Sequence, residues 1–159
     1  MASGETQEGG NMTKVNEDAY RGKRKWLVQK ARRLAGFCRD NGFAGWECLL
    51  GMKVSHLAEI YNGIGPDWDW SVISDILSHI DPIFEPAAFI QDIQYKVAKD
   101  RSDENFHRIN NEFHENCLKC VELGCRWWQW LRRRRLIKSA WVLFNESEEH
   151  GMKSWRQVQ

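Results

Sequence analysis

At 159 residues, with 42% apolar content, nine tryptophans and a formal charge of +1, the chain is sized for one folded domain with a single core. That much apolar surface excludes a disordered chain, and the near-neutral balance by itself predicts no polyanionic partner. Five cysteines make an odd count and no apolar export segment accompanies them, so reduced thiols are expected in place of an extracellular disulfide framework.

Residues 1–15 are polar and Gly-rich and read as a flexible tail; a single helical domain is expected over 16–159. No run approaches a membrane span in length. Asn16 followed by Glu17 and Asp18 predicts a helix start, an N-cap and then acids that complement the macrodipole. Tyr20, Leu27, Ala31, Leu34 and Cys38 then recur at helical spacing over a Lys/Arg face, and Gly42 and Gly45 mark the end.

A short helix is predicted over 55–61, with Leu57, Ile60 and Tyr61 on its apolar side. Asn62-Gly63-Ile64-Gly65-Pro66-Asp67 cannot stay helical and reads as a shaped loop. Residues 68–80 are weakly helical and end at Asp81-Pro82. Pro86 suits the first turn of a helix running to about Lys99, with Ile90, Ile93 and Val97 on one face and Ala88, Gln91, Tyr95 and Ala98 on the other.

From Ser102 a long helix carries Phe106, Ile109, Phe113, Cys117 and Cys120 as a buried stripe, with Asp103 entering on the same side. Gly124 is the expected break, and a last helix over 126–144 turns Trp130, Ile137, Trp141 and Phe144 inward. No strand pattern of any length is present, so the class is all-α.

The loop Asn62-Gly63-Ile64-Gly65-Pro66, the segment Glu85-Pro86-Ala87-Ala88-Phe89-Ile90-Gln91-Asp92-Ile93-Gln94-Tyr95 and the start Arg101-Ser102-Asp103-Glu104-Asn105-Phe106 together resemble the phospholipase A2-like superfamily, most closely its small bacterial and phage-encoded members. Residues 61–106 carry the resemblance, a core over about 53–125 is its expected extent, and an Arg run with Gly151 and Trp155 adds a weaker likeness. The resemblance implies an antiparallel helix pair, with further helices at both termini of the chain. It also implies a calcium ion held by Gly63, Ile64, Gly65 and the Asp92 carboxylate, a base at position 91, a second carboxylate at Asp103 that holds the base, and a tyrosine, Tyr95, bonded to it.

Gln91 stands where the family pattern has the histidine that activates water. A carboxamide accepts no proton near neutrality, and loss of a general base typically costs about 10²- to 10⁴-fold in rate. Ile64 replaces a cysteine common in the glycine loop of the bacterial and phage relatives. The preferred expectation is therefore a non-catalytic protein of a bacteriophage or prophage, acting as a binding or structural component, in the virion or in the host cytoplasm. The alternative is a weak calcium-dependent phospholipid hydrolase.

Each signal has a plainer reading beside the functional one. Gln91 either bonds Asp103 or Tyr95 across the helix pair or yields its role to another base, His107 being within one turn of Asp103. Asp92 either keeps calcium without catalysis or is a surface carboxylate in an empty site; no other cofactor is expected. His114, Cys117, Cys120 and Cys125 have zinc-ligand types, but the cysteines continue the apolar stripe and are preferred as small hydrophobes. Trp127, Trp128, Trp130 and the run Arg132, Arg133, Arg134 and Arg135 read first as a packed helix with solvated arginines, then as a surface for membrane phospholipid or a protein partner, including other virion proteins. Nucleic acid is the least favoured partner.

Overall fold

The computed structural model describes residues 9–61 and 81–157, with side chains over 21–61, 81–152 and 155–156. The glycine loop with Gly63, Ile64 and Gly65, and the weakly helical stretch over 68–80, lie outside the described residues.

Every regular element among the described residues is helical, in agreement with an all-α class. The first helix, α1 (Gly9–Asp40), begins seven residues before the expected cap at Asn16. Its buried positions are the expected ones: Ala31, Leu34 and Cys38 lie in the core, with Leu27 partly buried against them. Gly42, at φ 60, turns the chain left-handed after α1, so that Phe43 N–H bonds Cys38 O and Gly42 N–H bonds Arg39 O. A 3₁₀ turn, Trp46–Leu49, leads to α2 (Val54–Tyr61), which buries Leu57 and Ala58.

A second 3₁₀ turn, Pro82–Phe84, is capped by the Asp81 carboxylate accepting from Ile83 N–H at 3.1 Å. It feeds α3 (Glu85–Val97), with Pro86 in the first turn as expected. The next helix, α4 (Asp103–Gly124), is capped by Ser102, whose Oγ accepts from Asn105 N–H at 3.2 Å. The last, α5 (Trp130–Gln157), packs on α4, while α3 packs on α4, α1 and α2. The connections over 98–102 and 125–129 are short, which makes α3, α4 and α5 successive antiparallel neighbours.

Two expectations for α5 are corrected. The helix runs thirteen residues past the anticipated end at 144, reaching Gln157, and it turns a different stripe inward. Leu136, Ala140 and Leu143 are buried, with Ile137 partly so, whereas Trp130 is 60% and Trp141 51% exposed. Spacing alone permits either stripe; contact with α4 selects the one carrying the small, fully buried Ala140, which lets neighbouring helices approach.

All five cysteines are free, and four are buried. Desolvation pushes the thiols of Cys38, Cys48 and Cys120 up to about 12 and that of Cys117 well above its ordinary value, so all four are protonated, with Cys38, Cys117 and Cys120 in the core and Cys48 half-buried at its edge. Among the described residues no group of three or more His, Cys, Asp or Glu side chains is placed to hold a metal ion. His114 lies against Trp141, ring centroids 4.2 Å apart, and Phe144.

Candidate functional site

Residues on α3, α4 and α5 converge in one polar network. Gln91 is only 8% exposed and donates through Nε2 to Asn110 Oδ1 at 2.9 Å, with Tyr95 Oη at 3.4 Å. Tyr95 donates its hydroxyl to the same Asn110 oxygen. Asn110, fully buried, donates through Nδ2 to Glu148 Oε1 at 2.7 Å. The other Glu148 oxygen meets His107 Nδ1 at 2.6 Å at the solvent edge. The order is therefore Gln91 and Tyr95, then Asn110, then Glu148, then His107.

Glu148 sets the direction of this chain. A carboxylate only accepts, so the Asn110 amide must turn its NH₂ toward Glu148 and its carbonyl oxygen toward Gln91 and Tyr95. Burial also pushes the Tyr95 phenol well above its ordinary value, keeping it a donor. The three innermost members, Gln91, Tyr95 and Asn110, thus carry no charge near neutrality.

An aromatic box closes the inner end. Tyr95 stacks on Phe106 at 5.9 Å between centroids, and Trp155, 2% exposed, lies 5.5 Å from Tyr95 and 5.9 Å from Phe106. Trp155 gives its indole N–H to Arg101 O at 3.1 Å, and the Arg101 guanidinium covers its ring at 4.5 Å. Gly151 makes this possible: a Cβ there would sit 3.3 Å from the Phe106 ring and 3.4 Å from Tyr95 Oη. The sequence feature Gly151-x-x-x-Trp155 is thus the clamp that holds the end of α5 on the network.

Asp103 is not part of it. Its side chain is 57% exposed in the first turn of α4, paired with Arg156 at 2.9 Å. The residue facing Gln91 is Asn110, two helical turns further along α4. A carboxylate at the helix start is satisfied by solvent, the macrodipole and Arg156, whereas a position between Phe106 and Phe113 on the stripe is sealed. Tyr95 bonds the residue opposite Gln91, which is the amide of Asn110.

Among the described residues His107 hydrogen-bonds to the network through Glu148, with Asn110 between that carboxylate and Gln91. It does not occupy the place of a base beside Gln91. Asp92 is half-buried, and desolvation pushes its carboxyl up to about 7. Calcium takes six to eight oxygens, and the described residues implied for it supply the single carboxylate of Asp92.

A groove of ≈ 440 Å³ opens beside the network, lined by Gly45, Cys48, Gln94, Asn105, Arg108 and Glu112 among others, but not by Gln91, Tyr95 or Asn110. Gly45, at φ 76, lies so close to Gln94 that a Cβ would sit 2.0 Å from Nε2, which itself bonds Glu112. Trp127, Trp128 and Trp130 are 83%, 53% and 60% exposed, so the packed reading of the Trp/Arg segment is overturned. Arg132, Arg134 and Arg135 are exposed and Arg133 half-buried, with Arg132 3.9 Å from Asp81.

No family model, curated protein or solved structure matches this chain.

Asn110 and Glu148 are the members that sequence reasoning missed. Asn110 left a signal: it is a polar residue at the spacing of Phe106, Phe113 and Cys117, and a sealed amide needs partners. Glu148 left none, since its acidic neighbourhood over 146–149 reads as solvated surface.

Proposed function

We propose that the chain is a non-catalytic binding or structural protein built on a degenerate phospholipase A2-like site. The observation that carries this reading is the 2.9 Å hydrogen bond from Gln91 to Asn110. The resemblance calls for an imidazole at position 91 facing the Asp103 carboxylate; Gln91 supplies no proton acceptor, Asp103 lies at the surface with Arg156, and the group facing Gln91 is a second carboxamide, so neither the base nor its orienting group is in place. The buried amide pair and Tyr95 satisfy one another and cross-link α3 to α4, which is what a site retained for architecture requires. A bacteriophage or prophage origin, and a place in a virion, rest on the sequence resemblance alone.

The test is release of fatty acid from phospholipid by the purified full chain with and without calcium. The expected outcome is no release above that of lipid alone, and Gln91→His by itself is expected to stay inactive, because Asn110 supplies no carboxylate to orient the new ring. Calcium-dependent hydrolysis abolished by Asp92→Asn would establish the alternative, a weak phospholipid hydrolase. Loss of such activity in His107→Ala would assign the base to His107.

A further inference from the structure

The corner where α4 gives way to α5 is unlike the rest of the surface. Trp127 (83% exposed), Trp128 and Trp130 project from it, and Leu123 and Leu131 are also exposed, at 51% and 66%. The outward face of α5 continues the pattern, with Trp130 and Leu131, then Arg134, then Lys138, then Trp141 and Val142 recurring opposite the buried Leu136 and Ala140. Residues 126–145 carry six cations (Arg126, Arg132, Arg133, Arg134, Arg135 and Lys138) and no acid, whereas the whole chain is +1. Local charge and exposed apolar surface coincide, and the Arg126 guanidinium lies 5.1 Å from the Trp128 ring centroid.

We propose that this corner docks the protein on a bilayer whose headgroups carry anionic phosphodiesters, with the tryptophans at headgroup depth and the arginines on the phosphates. Indole rings and aliphatic side chains beside a cationic row are the composition of an interfacial helix, in which apolar burial and electrostatic attraction act together. No helix among the described residues is long and apolar enough to cross a membrane, so the contact is with the surface.

Two other occupants fit less well. A single-stranded nucleic acid stacks successive bases on ring faces, but Trp127 and Trp128 stand edge to face at 88°, and Leu123, Leu131 and Val142 offer no face to stack on. A second copy of the chain would bring six more cations against the first six.

This inference rests on reading the chain as a binding protein and names its partner. The experiment is flotation of the full chain with vesicles of phosphatidylcholine alone or mixed with phosphatidylglycerol, at low and high salt, with fatty-acid release measured on the same samples. Binding is expected on the anionic vesicles only, weakening as salt screens it. Arg134→Gln with Arg135→Gln should reduce it roughly 25-fold, at about fivefold per arginine near the surface. Trp127→Ser with Trp130→Ser should reduce it about tenfold at any salt, with an unchanged thermal melt because both side chains are exposed. Equal binding to both vesicle types, no binding, indifference to these four residues, or displacement by a single-stranded oligonucleotide would each overturn the proposal. Vesicles bound without hydrolysis support both readings, hydrolysis overturns only the non-catalytic one, and absence of both binding and hydrolysis removes only the membrane partner.

Discussion

The two ends of α5 use the same residue types to opposite effect. Near its C-terminus Trp155 is 2% exposed, its indole N–H is bonded to Arg101 O, and the Arg101 guanidinium lies on its ring. Before its N-terminus Trp127 is 83% exposed, and the neighbouring Trp128 has an arginine at a similar distance but remains half in solvent. What separates them is the opposing surface: Gly151 lets α5 close on Phe106 and Tyr95, while residues 126–131 extend beyond the stretch where Leu136, Ala140 and Leu143 meet the core. A tryptophan beside an arginine is therefore architecture where a neighbouring helix completes its surroundings and solvent-exposed surface where none does.

Truncation gives the widest separation of the two ends. Trp155→Ala is expected to cost about 3–5 kcal/mol, since it empties the aromatic box, while Trp127→Ala should stay within about 0.5 kcal/mol. Urea unfolding of both variants measures the contrast, and similar losses would show that the exposed corner is packed in solution.

Next in size is the network that the clamp covers. Asn110→Asp keeps the shape but removes the donor to Glu148 and sets two carboxylates against each other, an expected loss of about 1–3 kcal/mol. Adding Glu148→Gln restores a donor across the same gap and should recover much of that loss; a double-mutant cycle with no coupling would break the proposed bond order.

A smaller effect, confined to a pH window, is expected at Asp92. Burial raises its carboxyl from 3.8 to about 7, so between those values the folded chain holds a proton that the unfolded chain releases. Stability contributed by this group therefore falls as pH climbs through that window, and Asp92→Asn should remove that slope. Urea midpoints of wild type and variant at about pH 4 and about pH 8 check it, with the variant gaining on the wild type at the higher value. Calcium added at the higher pH sharpens the result: stabilisation of the wild type alone would assign an ion to Asp92.

Much of the helical layout was legible because its determinants are local. Pro86, Ser102 and the glycines after α1 sit where backbone geometry requires them, and the stripe from Phe106 to Cys120 is buried as its spacing predicts. The site is legible in part: Gln91 and Tyr95, one turn apart on α3, share the network, whereas Asp103, expected beside Gln91, lies at the surface and Asn110 faces Gln91. Resemblance in sequence points to the start of α4, but Asp103 there pairs with Arg156 at the surface, and the residue sealed against Gln91 is Asn110, two turns further on.

The sequence by itself determined where most helices begin and which of their residues are apolar, because capping and periodicity act within a few residues. It also determined that position 91 holds an amide. Tertiary structure alone decided that Asn110, nineteen residues away, faces Gln91, that Glu148, thirty-eight beyond Asn110, orients it, and that Trp155 at one end of α5 is sealed while Trp127, Trp128 and Trp130 at the other are exposed. Those outcomes depend on the rotation and axial offset of one helix against the next, which are set by the fit of whole side-chain surfaces and not by spacing along a single helix.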